Sequence, residues 1–214
     1  MTEKHRERIR LETEHMKERR QPVGGRRMLV FLLGICLFGM LTPVLGGLHA
    51  EQEPWAAVIV GEGRPLPGDF TVDLEQVGGV RVDTRIAPAL RRMLRAAEAD
   101  GVTLSLKAGY RSVKEQAALA DDGEGSAAPG ENEHHTGLAV DFFVSGTEDF
   151  EGTSAYAWLA AYGAEYGFVL RYPAGKEALT GRAFAPQHFR YVGKRRAAAM
   201  AEEGKCLEEI DEDS

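Results

Sequence analysis

The chain reads as an α+β fold, a small mixed or antiparallel sheet flanked by helices and preceded by one transmembrane helix. Three observations predict it. Short apolar runs of strand length alternate with segments whose apolar residues recur every three or four positions. One uncharged stretch near the N-terminus has membrane-spanning length. The 214 residues, 43% hydrophobic and 8% aromatic, supply one mid-sized core rather than two. The net charge of −7 gives no basic field for a phosphate backbone, which excludes nucleic acid as a partner. That average hides an asymmetry: residues 1–50 carry net +4 and residues 51–214 carry net −11.

Residues 1–27 mix acidic and basic side chains with few apolar ones, so they cannot build a core and read as a solvated cytoplasmic segment. Residues 28–48 (MLVFLLGICLFGMLTPVLGGL) hold no charge over about twenty positions, enough to cross a bilayer. Arg26 and Arg27 precede this stretch and Glu51 and Glu53 follow it, which predicts a single-pass signal-anchor in the cell membrane with the C-terminal domain extracytoplasmic. Small residues near Gly46 and Ala50 offer the rival reading of a cleaved signal peptide, against which stands the long charged lead. Cys36 falls in the span and Cys206 near the acidic C-terminus, so no intramolecular disulfide is expected.

Residues 49–65 read as a linker and a leading strand at Trp55–Val60. Between Thr84 and Ala99, Ile86, Leu90, Met93, Leu94 and Ala97 recur at helical spacing; Asp83 or Thr84 can cap the start and Gly101 can stop the end. Thr103–Ala108 alternates as a strand and Ser112–Leu119 reads as a helix. The run 121–130 is a Gly-rich loop, taken as a cleft rim. Strands are expected at Leu138–Val144, Phe168–Tyr172 and Phe189–Val192, with a helix over Ser154–Tyr166 ended by Gly167. Trp158, with Leu159 and Tyr162 on that helix, reads as core. Residues 201–214 form an acidic, solvated tail.

Only three of the six histidines, His134, His135 and His188, fall in the folded part. His134 ends a loop, Asp141 lies within the strand after it and His188 approaches another strand, so two imidazoles and a carboxylate could meet with a fourth position left for water. That donor set suits catalytic zinc, although a buried structural role is the commoner fate of such residues. His135 reads as a lining residue.

The wording around these residues resembles the VanY-type D-alanyl-D-alanine carboxypeptidases, zinc metallopeptidases related in fold to the hedgehog and lysostaphin-type enzymes. The resemblance runs through LPGDFTVDL, VDTRIAPALRRML, GYRS (Gly109–Ser112), ENEHHTGLAVD (Glu131–Asp141), YGFVLRYP (Tyr166–Pro173) and HFRYVG (His188–Gly193). It implies a hedgehog/D-Ala-D-Ala peptidase-like domain over 66–200, Zn2+ as cofactor and the D-Ala-D-Ala end of a peptidoglycan stem peptide as substrate. It also implies His134, Asp141 and His188 as zinc ligands, and Arg111 with Ser112 as substrate-binding residues. A guanidinium fork suits a terminal carboxylate because it donates two parallel hydrogen bonds.

The resemblance breaks at one place. The family pattern has Glu three residues before the last His and Trp just before it, whereas this chain reads Ala185, Pro186, Gln187, His188. A carboxylate there takes and returns a proton, worth about 10²–10⁴ in rate. Glu133 and Glu177 stand as substitute bases. The family's Ser two before the first His is Asn132. The sequence therefore supports a zinc carboxypeptidase that is impaired at Ala185, with two alternatives: a catalytically inactive wall-peptide-binding or regulatory homologue, and a relative that cuts an L,D or internal bond.

Overall fold

The computed structural model describes Leu11, Glu14 and residues 53–121, 128 and 130–210. The predicted membrane span 28–48, nearly all of the charged lead, most of the Gly-rich rim and residues 211–214 lie outside them. Among the described residues no helix is long and apolar enough to cross a membrane.

A two-stranded hairpin, β1 (Leu74–Val77) and β2 (Val80–Asp83), turns through Gly78 and Gly79, both at positive φ. Two consecutive left-handed residues give the tight turn that matches strand twist, and glycine adopts them without steric cost. Helix α1 (Ala87–Ala99) buries Leu90, Met93 and Ala97, as its periodicity predicts. Its start differs: the N-cap is Ile86 with no side-chain cap, because the Asp83 carboxylate instead accepts from the backbone and guanidinium of Arg85. Strand β3 (Ser105–Ala108) leads to α2 (Val113–Asp121), and a 3-10 turn at Glu133–Thr136 leads to β4 (Ala139–Phe143). Helix α3 (Ser154–Tyr162) relaxes into a 3-10 turn before Gly167, whose positive φ ends it. Then come β5 (Phe168–Leu170), the short α4 (Glu177–Thr180), β6 (His188–Tyr191) and α5 (Lys194–Glu203).

Strands β3, β4, β6 and β5 lie side by side in that order, each pair antiparallel. One sheet face packs Val140, Phe142, Phe189 and Tyr191 into the core with α1 and α3. Trp158 lies fully inside that core and donates its indole N–H to Asp100 at 2.7 Å, fastening α3 to the end of α1. Strand alternation sends Asp141, His188 and Arg190 to the opposite face.

Two expectations need correction. Residues 55–60 form no strand: a 3-10 turn at Pro54–Ala56 begins the described domain, and buried Arg190 donates through Nη2 to the Ala56 and Val58 carbonyls at 3.2 and 2.9 Å. Those carbonyls are satisfied by a side chain, so no neighbouring strand is needed. The C-terminal stretch is not a solvated tail as far as it is described. Cys206 and Leu207 are buried, Leu207 in a second apolar cluster with Val169, Val192, Ala197 and Met200, and Leu207–Glu209 forms a 3-10 turn.

Candidate metal centre

Antiparallel pairing of β4 with β6 sets Asp141 directly opposite His188. Directly opposed residues put their side chains on one face about 5 Å apart. His134 arrives from the 3-10 turn before β4, where Asn132 caps the turn by accepting the His134 backbone N–H at 2.9 Å. Ligand atoms of His134, Asp141 and His188 all lie within 4.8 Å of one another.

The donor geometry fits a cation. His134 Nδ1 lies 2.6 Å from the Gly109 carbonyl oxygen, which can only accept, so Nδ1 carries the proton and the Nε2 lone pair faces Asp141 Oδ2 at 3.2 Å. His188 offers Nδ1 to Asp141 Oδ1 at 2.7 Å, while its Nε2, with no hydrogen-bond partner, lies 3.5 Å from Glu133 Oε2. Each ring thus turns its remote nitrogen to an acceptor and its near nitrogen to the shared carboxylate, the arrangement by which supporting oxygens orient metal-binding imidazoles. Two nitrogens and a carboxylate with room for a further ligand match catalytic zinc.

Electrostatics point the same way. Burial alone would raise the Asp141 carboxyl, but the two imidazoles against it, His134 and His188, hold it well below the usual carboxylate range. Burial alone would lower His188, but the Asp141 and Glu133 carboxylates lift it to about 9. A cation entering here competes with that proton.

Gly109 has no room for a side chain: a Cβ would sit 2.3 Å from the Arg81 carbonyl oxygen. This close approach holds the carbonyl that fixes His134. The next residues organise one wall of the cleft. Arg111 donates to Gln116 Oε1 at 2.9 Å, and the same buried oxygen accepts from Asn132 at 2.8 Å. His135 is buried, with Nδ1 2.6 Å from the Arg111 carbonyl oxygen, so it braces the Arg111 backbone and does not line the cleft. A cleft of about 520 Å³ joins Arg111, His134, Asp141, His188, Arg182 and Ala185. Tyr172 stacks on the His188 ring at 5.0 Å between centroids.

Three residues expected at the chemistry take other positions. Ser112 caps α2 by accepting the Glu115 N–H at 3.2 Å, and it stands outside the cleft. Glu177 is exposed at the start of α4, its carboxylate accepting from Gly175, and also stands outside the cleft. Glu133 reaches the site, but as a support. Its carboxylate is buried against Arg171 Nε at 2.6 Å and Arg190 Nη1 at 3.2 Å, and it meets His188 at the edge remote from Asp141. Burial alone would raise its pKa, yet the two guanidiniums hold it far below the usual range, which makes it a poor proton acceptor. Sequence reading missed Arg171 and Arg190; a charged residue inside an otherwise apolar strand-length run was the available signal.

Residues 79–194 match the protein family described as VanY, D-alanyl-D-alanine carboxypeptidase. The chain belongs to the VanY family. A D-alanyl-D-alanine carboxypeptidase of Enterococcus faecalis is 34% identical over 181 residues, covering 75% of this chain and 67% of that protein. Among solved structures, a mutant VanY D,D-pentapeptidase from a VanB-type resistance cassette, in complex with Zn(II), superposes with a TM-score of 0.66 at 36% identity, covering 72% of this chain and 98% of that one. VanYB in complex with D-alanine-D-alanine gives 0.66 at 35%, covering 72% and 96%. The LdcB LD-carboxypeptidase gives 0.63 at 32%, covering 74% and 86%. VanY relatives are named as carboxypeptidases, so this chain is an enzyme by that resemblance.

Proposed function

We propose that this VanY-family chain is a zinc-dependent carboxypeptidase acting on the D-Ala-D-Ala ends of peptidoglycan stem peptides, slowed by Ala185. The observation that carries the reading is the meeting of His134, Asp141 and His188 in one cleft with Arg111. When bound at such an open site, zinc supplies an acidified water and polarises the scissile carbonyl. His134 and His188 would hold the ion with their imidazoles, and Asp141 would balance its charge. Arg111, steadied by Gln116, takes the terminal carboxylate of the peptide. Acid–base help is what the described residues of the cleft lack. Among the described residues its lining holds two carboxylates, Asp141, which would face the ion, and Glu133, which is held by the guanidiniums, while the family position carries a methyl group.

Ala185 equally supports a second reading, a homologue that binds wall peptide without cutting it. One experiment decides: zinc-loaded protein and an Ala185→Glu variant are incubated with a stem pentapeptide and with an L,D-terminated tetrapeptide, and released alanine is measured. Slow release by the natural protein and fast release by the variant support the slowed enzyme. No release by the natural protein beside fast release by the variant leaves the binding role. No release by either rejects the carboxypeptidase reading.

For placement, the uncharged run 28–48 and its flanking charges support a single-pass anchor with the catalytic domain outside the cell membrane. The domain should be open to protease on intact protoplasts and remain with membranes after alkaline carbonate extraction.

A further inference from the structure

Helix α5 ends at Gly204, at positive φ, and the chain folds back, so that the Leu207–Glu209 turn brings two carboxylates to Arg171 and Lys176. Glu208 grips the guanidinium of Arg171 with both oxygens, at 2.9 Å to Nη1 and 2.6 Å to Nη2. Arg171, 1% exposed, gives its remaining edge, Nε, to Glu133 at 2.6 Å. Glu133 in turn lies against Nε2 of His188. Three successive contacts between buried groups therefore connect the C-terminal turn to an imidazole of the candidate metal centre.

The charges in this chain of contacts balance. Arg171 and Arg190 supply two cations, Glu133 and Glu208 two anions, and all four side chains are at most 9% exposed. Removing the Glu208 charge would leave a buried surplus of positive charge beside the place for a divalent cation. It would also free the fork of Arg171 to take both oxygens of Glu133, drawing that carboxylate away from His188.

We propose that Glu208 is a positioning residue for the metal centre, acting through Arg171 and Glu133 on His188, and that the C-terminal turn is part of the catalytic unit. This rests on the zinc reading above.

The test uses the full chain. Zinc affinity is measured by chelator competition, the visible spectrum is recorded on the cobalt(II)-substituted protein, and thermal unfolding is followed in parallel for the natural protein, Glu208→Gln and Glu209→Gln. Glu209 belongs to the same turn but pairs with Lys176, so its variant reports on loosening the turn alone. The expected result is about tenfold weaker zinc binding and an altered cobalt spectrum in Glu208→Gln, with neither change in Glu209→Gln. Natural affinity and spectrum in Glu208→Gln overturn the proposal even if the protein melts earlier, since Glu208 would then only fasten the turn. Equal weakening in both variants also overturns it. Should Glu208→Gln fail to fold, Glu208→Asp keeps the charge but retracts the carboxylate from the fork by one methylene; it should show a smaller loss, and an unchanged affinity and spectrum overturn the proposal. If the natural protein binds neither zinc nor cobalt, the zinc reading itself falls, an outcome distinct from a difference between variants.

Discussion

On the cleft wall built by β4, β6 and the turn before β4, the two imidazoles of the candidate metal centre are each held from behind: His134 by the Gly109 carbonyl, His188 by Glu133 at its far edge and Tyr172 on its face. The opposing stretch 181–187 offers the cleft Ala183, Phe184, Ala185 and Gln187, with no carboxylate among them. The contrast separates two tasks that an active peptidase joins. Holding an ion requires orientation, which the first wall supplies in excess. Moving a proton requires a group of suitable pKa within reach, which the second wall lacks. Tight binding with slow turnover is the expected outcome.

The severest way to break the comparison is to remove a ligand. His188→Ala should abolish stoichiometric zinc binding, read by elemental analysis after dialysis; full zinc content would dismantle the first wall's assignment. Next in size, Ala185→Glu should restore the proton carrier and raise kcat for alanine release by about 10²–10⁴ with little change in zinc affinity. An unchanged kcat would mean that another group already moves the proton. Glu133→Gln would leave two buried guanidiniums short of an anion and should cost about 3–5 kcal/mol of unfolding free energy in urea titration.

The smallest effect concerns pH. The hydrogen bond from Lys176, with that from the Cys206 backbone, lowers the Glu209 carboxyl to about 2. A depressed carboxylate stabilises the fold above its ordinary value of about 4.3, and the contribution is lost as pH falls through about 2. The Glu209 side-chain carbon resonance should therefore stay still between about pH 5 and pH 3 and titrate there in Lys176→Met.

Local signals made much of this legible in advance. The helical periodicity of 84–99 and the strand runs near 139, 168 and 188 were readable because each buries one face against the core. The β1–β2 hairpin was overlooked although Gly78-Gly79 between short alternating runs announces it. Residues 57–60 misled because apolar β-branched residues can be buried in extended chain whose carbonyls a side chain satisfies. At the site, residue types marked His134, Asp141 and His188, whereas the ionic support behind them did not show: a pairing such as Glu133 with Arg171 spans 38 positions and leaves no local pattern. The turn at 207–209 was hidden for the opposite reason, its acidic composition resembling a solvated end until Arg171 is seen to need Glu208.

Strand β6 alternates His188 and Arg190 on one face with Phe189 and Tyr191 on the other, and all four are buried. A slip of one residue against β4 would push two aromatic rings into the cleft and two polar side chains into the greasy interior. Assembly and competence are thus checked by a single ladder of backbone bonds: a misaligned molecule could neither close its interior nor gather its ligands, so partly correct products would be exposed to quality-control proteases rather than persist as decoys.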